Sequence, residues 1–317
     1  MLIIVNRMAK EKISVVIPVF NSEQILPKLV SRLENALPEI TSDYEILLVN
    51  DGSADSSWQA IQTAASKNKR IRGINLMRNY GQHNALLCGI RNATGDVIVT
   101  MDDDLQHPPE EIHKLIGELR KGFDVVYGIP QQLVHARWRN FFSVATKSIL
   151  ARILKIRNIK FISAFRAFRT KIRVSFDGFN SPNVIIDALL TWGTDNFGTV
   201  IVEEQPRAVG RSNYTFLSLV RVAMVVLTGF STIPLRFASV VGFIFTLFGF
   251  GILLYVLLRT WLEGSIPGFP FLASIISIFS GVQLFTLGIF GEYLARIFNR
   301  SMNHPAFVID EVTPAGK

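Results

Sequence analysis

The chain has 317 residues, of which 49% are hydrophobic and 18% are charged, and its mean hydropathy is +0.32. This hydropathy is too high for an ordinary soluble enzyme, while the charged fraction requires a part that meets water, so we predict a soluble part and a membrane part. The net charge of +8 favours an anionic partner: lipid headgroups, nucleic acid or a phosphorylated substrate. Because Cys88 is the one cysteine, an intrachain disulfide is excluded.

Short apolar runs alternate with amphipathic stretches over the N-terminal part of the chain. The predicted strands are Ile13–Val19, Glu45–Val49, Ile71–Leu76, Val97–Met101 and Asp124–Tyr127. The predicted helices are Glu23–Leu37, Ser57–Ser66, His83–Asn92 and Pro109–Arg120. Strands that alternate with helices indicate an α/β fold, with a mostly parallel sheet covered on both faces.

Polar clusters follow three of these strands. They are Phe20–Glu23, Asn50–Ser53 and the carboxylate triplet Asp102–Asp104. Ligands of open parallel sheets bind beyond the carboxyl ends of the strands, so we expect the clusters to meet. The triplet suits Mg²⁺ or Mn²⁺ bridging to a diphosphate, although taken alone it is equally compatible with a solvated acidic turn. No GxxxxGK or GxGxxG motif follows the first strand, which argues against a P-loop ATPase or a dinucleotide enzyme.

Two long uncharged runs, Phe237–Leu258 and Gly264–Gly291, are each long enough to cross a hydrocarbon core of about 30 Å. Arginines flank the runs on their outer sides, at Arg207, Arg211, Arg221, Arg236, Arg296 and Arg300. The positive-inside rule then places both termini in the cytoplasm. We predict a catalytic domain over 1–215, an interfacial helix over 216–236, two transmembrane helices over 237–298 and a cytoplasmic tail over 299–317.

The segment Val125–Phe176 contains 11 Lys and Arg residues and no Asp or Glu. Apolar residues, among them Trp138, Phe141 and Ile149, recur in it at helical spacing. This pattern predicts a basic amphipathic helix in the plane of an anionic membrane, and the alternative is a helix packed on the domain with a solvated basic face. Nucleic acid would not explain the two apolar runs, so we expect no nucleic acid partner.

Several motifs together resemble the polyprenyl-phosphate glycosyltransferases, which include dolichyl-phosphate mannose synthases and bacterial bactoprenyl glucosyltransferases and aminoarabinosyl transferases. They are VVIPVFNSE, LLVNDGSADSS, RNYGQHNALLCGI, ATGDVIVTMDDDLQHPPE and GRSNYTF, followed by two spans. The resemblance implies an inverting, metal-dependent enzyme of the Rossmann-like GT-A fold in a bacterial inner membrane. It also implies a UDP-glucose or related UDP-sugar donor, an undecaprenyl or other polyprenyl phosphate acceptor, a lipid bilayer and a homo-tetramer.

The resemblance also assigns roles to individual residues. Those that would bind the nucleotide are Pro18, Phe20, Glu23, Asp51, Asp102 and Asp103. Asp104 and Asp102 would hold the metal, and Gln106 would lie near the sugar or diphosphate. Those that would bind the acceptor phosphate are Arg207, Arg211, Ser212 and Tyr214. Asp102, Asp104, Arg207 and Arg211 would thus be the catalytic set.

Two positions depart from the family pattern. Asn213 replaces a frequent lysine, and Ala164 replaces an aspartate that would be a candidate general base. A lipid phosphate is already an anion near neutral pH, so orientation and charge neutralisation can replace a strong base. Asp187 and Asp195 lie near the expected acceptor side, where a role on a helix surface is at least as plausible.

Two other functions stay open at this point. A processive polysaccharide synthase would share the nucleotide half, but it usually needs more spans and a QxxRW motif, which this sequence lacks. A non-catalytic membrane scaffold is the second alternative, and the intact acidic triplet argues against it.

Overall fold

The computed structural model describes residues 11–131, 163–182, 184–205, 233–263, 268–302 and 304–313. The chain forms two compact units. Met1–Tyr214 together with Asn303–Lys317 make up the α/β unit, and Thr215–Met302 make up the helical unit. Most of the predicted basic segment and most of the predicted interfacial helix lie outside the described residues.

The α/β unit is built on one eight-stranded sheet with the order β7-β5-β6-β4-β1-β2-β3-β8. The strands are β1 Ile13–Val19, β2 Tyr44–Asn50, β3 Ile71–Leu76, β4 Val97–Thr100, β5 Val125–Pro130, β6 Arg166–Arg169, β7 Phe197–Val202 and β8 Ile309–Val312. β1 runs parallel to β2 and β4, β2 to β3, and β5 to β7, whereas β6 and β8 are antiparallel to their neighbours. The predicted α/β fold with a mostly parallel sheet is confirmed.

Helices cover both faces of this sheet. They are α1 Leu26–Ile40, α2 Ser57–Lys67, α3 Gln82–Asn92, α4 Ile112–Leu119 and α5 Ile186–Gly193. In α1 the buried residues Leu26, Leu29, Leu33 and Leu37 recur every three or four positions and join the core with alternate residues of β1. On the opposite face α3 comes so close that a Cβ at Gly89 would lie 2.3 Å from a Val16 methyl carbon.

The strands β6, β7 and β8 are absent from the sequence-based prediction. β8 comes from residues expected to form a separate tail, yet it pairs with β3, and the Gly73 amide donates a 2.8 Å hydrogen bond to Thr313 Oγ1. The indole of Trp58 donates to Glu311 at 3.1 Å. β3 would otherwise be a sheet edge with unpaired backbone groups, and β8 covers it. A strand of four residues is too short to show the alternation of apolar and polar residues from which strands are predicted.

The helical unit contains α6 Ile233–Glu263 and α7 Phe269–Ser301. Two windows in them are long and apolar enough to cross a membrane: Pro234–Arg259, with a mean hydropathy of 2.5, and Ile278–Ala295, with 1.3. The second window starts later than the predicted run Gly264–Gly291. Phe245 and Phe279 pack edge to face at 6.0 Å between ring centres. Large apolar side chains on these helices are exposed, as lipid contact would require.

Candidate active site

A cavity of about 600 Å³ lies at the carboxyl ends of β1, β2 and β4, the edge of the sheet where ligands were expected. Its walls come from the loops after these strands and from the start of α3. Seven of the residues to which the resemblance assigned roles line it together: Pro18, Phe20, Glu23, Asp51, Asp102, Asp103 and Asp104. The structure thus brings together the predicted donor-side residues, apart from Gln106, while their individual roles stay predictions.

The loop after β1 is bound to its neighbours through its backbone. The Phe20 amide donates to Asp103 Oδ2 at 3.2 Å, and the Asn21 amide donates to Ser53 Oγ at 3.0 Å. Asn21 has a φ of 53°, a left-handed conformation that asparagine tolerates better than most residues. These contacts fix the backbone and leave the Phe20 ring 47% exposed at the cavity wall, where it could stack on a planar group.

Asp51 clamps a second loop. Its two carboxylate oxygens accept the backbone amides of Tyr80, at 2.7 Å, and Gly81, at 2.9 Å. Burial raises the pKa of Asp51, and these two amides oppose the rise. The next residue, Gly52, has a φ of +65°, and a Cβ there would lie 2.5 Å from the carbonyl carbon of Arg78. The sequence analysis did not foresee this backbone clamp, because a backbone amide carries no residue signature.

The carboxylates of the triplet face different partners. Asp102 Oδ1 accepts a hydrogen bond from the side-chain amide of Gln82 at 2.6 Å, and Asp104 Oδ1 accepts one from the backbone amide of Gln106 at 3.0 Å. Asp103 accepts the Ser22 hydroxyl. Burial raises the pKa of Asp102 to about 6, and the neighbouring charges of Asp104 and Asp103 add to the rise. The triplet therefore concentrates negative charge that its surroundings compensate incompletely.

A divalent cation requires several oxygen ligands around one position. In the described part of the chain, no group of three His, Cys, Asp or Glu side chains converges on one metal position. Asp102 and Asp104 could supply one carboxylate each. Mg²⁺ is usually held by one or two carboxylates, with waters and substrate phosphates completing its octahedron. The residues present fit a cation of this kind.

Gln106 does not line the cavity; its carbonyl instead accepts the Gln205 amide at 2.8 Å. Arg32 joins the same region, because it forms a 2.6 Å ion pair with Glu110 and donates to Gln205 Oε1 at 3.3 Å. The segment that follows β7 is thus anchored beside the loop of the triplet. The predicted acceptor-phosphate residues Arg207, Arg211, Ser212 and Tyr214 lie outside the described residues.

The sequence analysis missed a buried polar cluster that joins β4 and β6. Arg166 is 1% exposed, pairs with Asp187 and donates from Nε to Thr100 Oγ1 at 2.9 Å. The Tyr127 hydroxyl donates to Asp187 at 2.9 Å. Asp187 is only 5% exposed, so the helix-surface role considered for it is wrong: it is the counter-ion of a buried arginine. A charged residue within the apolar stretch AFRAF is the signal that predicts such a partner.

Comparisons with known proteins identify the family of this chain. Residues 14–174 match Glycosyl transferase family 2. The undecaprenyl-phosphate 4-deoxy-4-formamido-L-arabinose transferase of Proteus mirabilis (strain HI4320) is 34% identical over 313 residues, which cover 96% of this chain and 95% of that protein. The transferase of the same name from Shewanella sediminis (strain HAW-EB3) is 33% identical over 304 residues, covering 95% and 92%.

A solved structure shares the fold of the α/β unit. Glucosyl-3-phosphoglycerate synthase from Mycobacterium tuberculosis, in complex with Mn²⁺, UDP and glucosyl-3-phosphoglycerate, superimposes with a TM-score of 0.52 at 17% identity. The superposition covers 71% of this chain and 80% of that one. At this identity the likeness shows the GT-A-like fold alone. With the family match and the full-length relatives, the chain belongs to glycosyl transferase family 2 and, within it, to the polyprenyl-phosphate glycosyltransferases.

Proposed function

We propose that this enzyme transfers a sugar from a UDP-linked donor, UDP-glucose or a related UDP-sugar, onto undecaprenyl phosphate or another polyprenyl phosphate. The observation that carries this proposal is the incompletely compensated acidic triplet, which lies beside an exposed aromatic ring in one cavity at the carboxyl edge of the sheet. A cavity of about 600 Å³ falls within the size range of small-molecule sites.

The nucleotide would occupy the wall made by the loops after β1 and β2. The exposed ring of Phe20 offers a stacking surface for the base, with Pro18 and Glu23 beside it. Asp51 would contribute to nucleotide binding by holding the loop of Tyr80 and Gly81 in place. A lone pair that these two amides do not use could also accept a hydrogen bond from the nucleotide. These roles extend to this chain what the family resemblance implies.

Asp104 and Asp102 would hold Mg²⁺ or Mn²⁺. Such a cation, when bound, supplies positive charge that stabilises the leaving diphosphate. The raised pKa of Asp102, caused by burial and by the neighbouring Asp104 and Asp103, supports a site shaped for a cation. Two carboxylates would leave places in the coordination shell for the phosphate oxygens and waters that Mg²⁺ keeps.

The acceptor phosphate would be bound by Arg207, Arg211, Ser212 and Tyr214. The bond between the Gln205 amide and the Gln106 carbonyl supports this assignment, because Arg207 comes two residues later in the sequence. One phosphate oxygen would attack the anomeric carbon opposite the leaving group. A new carbon–oxygen bond forms as the bond to the diphosphate breaks, so the configuration inverts and UDP leaves. The phosphate carries its own negative charge, which fits the presence of Ala164 instead of an acid.

The bilayer is the place where this acceptor is found. α6 and α7 supply two helices with the length and composition of membrane spans, and the arginines outside them favour a cytoplasmic location for both termini. We therefore propose a multi-pass protein of the bacterial inner membrane whose α/β unit lies on the cytoplasmic side. The predicted tetramer is retained as part of this proposal.

The test is product analysis with the purified full-length chain. It would be incubated with undecaprenyl phosphate, Mn²⁺ and, in separate reactions, UDP-glucose, UDP-4-deoxy-4-formamido-L-arabinose and GDP-mannose. The formamido sugar is included because the relatives are named for it. Mass spectrometry should find one lipid-linked monosaccharide from a UDP-linked donor. A lipid-linked or free oligosaccharide would favour the processive synthase, and the absence of both product and UDP binding would favour the scaffold.

A further inference from the structure

Gln82 is a cavity residue to which neither the motifs nor the proposed function gives a role. It is the first residue of α3, its side chain is exposed to the cavity, and its Nε2 donates to Asp102 Oδ1 at 2.6 Å. The Gln82 amide thus binds a carboxylate that we expect to meet a cation.

The backbone that carries Gln82 is fixed from both sides without the help of its side chain. Asp51 accepts the amides of Tyr80 and Gly81, the two residues just before it. Asn84, half a turn further along α3, donates to the carbonyls of Pro182, at 3.0 Å, and Ala306, at 2.6 Å. Removal of the Gln82 amide should therefore change its contact with Asp102 and leave the start of α3 in place.

A neutral donor suits this position better than a cationic one. The terminal torsion of an aspartate is broad, so a free carboxylate samples many orientations, and a hydrogen bond to one oxygen selects among them. Lysine or arginine would orient Asp102 as well, but its positive charge would neutralise the carboxylate and repel a divalent ion. The glutamine amide orients Asp102 and leaves its negative charge available.

We propose that Gln82 is a positioning residue, which fixes the orientation of the Asp102 carboxylate through Oδ1 so that Asp102 could hold a divalent cation. This inference rests on the proposed function, because it assumes that a cation binds at the triplet. Gln82 acts through Asp102, so its loss should weaken cation binding more than it slows transfer once the cation is saturating.

The primary measurement is the affinity of the full-length chain for Mn²⁺ in the presence of UDP, followed through the electron paramagnetic resonance signal of free Mn²⁺. For Gln82→Ala we expect an affinity about tenfold lower, the order expected when a hydrogen bond to a charged group is lost. For Gln82→Lys we expect a larger loss, because a positive charge would pair with Asp102. In transfer assays the Mn²⁺ concentration for half-maximal rate should rise in parallel, while the rate at saturating Mn²⁺ changes less.

Gln62→Ala is the matched control. It removes the same amide from helix α2, where Nε2 donates to Glu311 at 3.2 Å, and Gln62 does not line the cavity. This control should bind Mn²⁺ as the wild type does. The inference is overturned if Gln82→Ala binds Mn²⁺ like the control, or if Gln82→Lys binds it more tightly. A wild-type chain that binds no Mn²⁺ with UDP would overturn the proposed metal site together with this inference, whereas a change confined to the Gln82 variants supports both.

Discussion

Two carboxylates at opposite ends of the central strands show how differently this fold treats buried negative charge. Glu45 lies near the amino end of β2, and its Oε1 accepts three hydrogen bonds: from Ser14 Oγ at 2.6 Å, from the Thr94 amide at 2.6 Å and from Thr94 Oγ1 at 2.7 Å. Asp102 follows the carboxyl end of β4 and accepts the Gln82 amide. The Glu45 side chain is buried, whereas Asp102 is partly buried in the wall of the cavity, and their partners differ.

Their pKa values move in opposite directions for this reason. Burial raises the pKa of each, but at Glu45 the bonds from Ser14 and Thr94 and the charge of Lys12 outweigh burial, so its pKa is lowered. At Asp102 the charges of Asp104 and Asp103 reinforce burial, and the pKa reaches about 6. At the amino edge of the sheet the charge of Glu45 is thus stabilised by groups of the protein itself. At the carboxyl edge negative charge is left that a bound cation can compensate.

The largest expected effect is at the carboxyl edge. Asp104→Ala should lower sugar transfer at least about 100-fold, because a ligand of the cation that stabilises the leaving diphosphate is removed. Its melting temperature should change little, since a charge that repels Asp102 is lost together with the bond to the Gln106 backbone amide. Lipid-product assays and thermal unfolding of the same preparation check both. Full activity with unchanged Mn²⁺ dependence would contradict the proposed site.

We expect the buried ion pair of Arg166 and Asp187 to stabilise the fold. Arg166→Met leaves the Asp187 carboxylate buried without its counter-ion, and we expect unfolding to cost about 3–5 kcal/mol less. The double variant Arg166→Met with Asp187→Leu should regain much of this stability, because both charges are then gone. Denaturant unfolding of the full-length chain measures the three proteins. Equal stability of the single variant and the wild type would show that the pair contributes nothing.

At the amino edge we expect a smaller, pH-dependent effect. Glu45→Gln should cost about 1–3 kcal/mol of stability at neutral pH, because the ionised group loses hydrogen bonds made to its charge. The folded pKa of Glu45 is lowered from 4.5, so its contribution is present above that value and is lost as pH falls through the folded pKa. Below pH 4.5 the wild type should therefore lose stability more steeply than the variant. Parallel curves would contradict the assignment, and transfer per folded molecule should not change.

The smallest effect is expected at the sheet edge covered by β8. Glu311→Gln alters exposed contacts with Trp58, at 3.1 Å, and Gln62, at 3.2 Å, so we expect a loss of at most about 1 kcal/mol and unchanged transfer. Thermal unfolding and the lipid-product assay check this. A large loss of transfer would mean that β8 acts on the site and does not only cover an edge.

Regular patterns made much of the α/β unit predictable. The bounds of β1 and β3 agree with the prediction to the residue. Because ligands bind beyond the carboxyl ends of parallel strands, three polar loops were expected to meet, and they line one cavity. The sequence does not show which groups pair: Arg166 with Asp187, Asp51 with backbone amides, and Gln82 with Asp102. Each joins elements that only the tertiary fold brings together, and a backbone amide leaves no trace in the sequence.

We infer that the carboxyl edge binds a cation together with a nucleotide diphosphate. Calorimetric titration of UDP into the full-length chain, with and without Mn²⁺, tests this claim, with Asp104→Ala and Glu45→Gln measured alongside. We predict Mn²⁺-dependent UDP binding to the wild type and to Glu45→Gln, and its loss in Asp104→Ala. UDP binding that is equally strong without Mn²⁺, or that survives in Asp104→Ala, would contradict the claim.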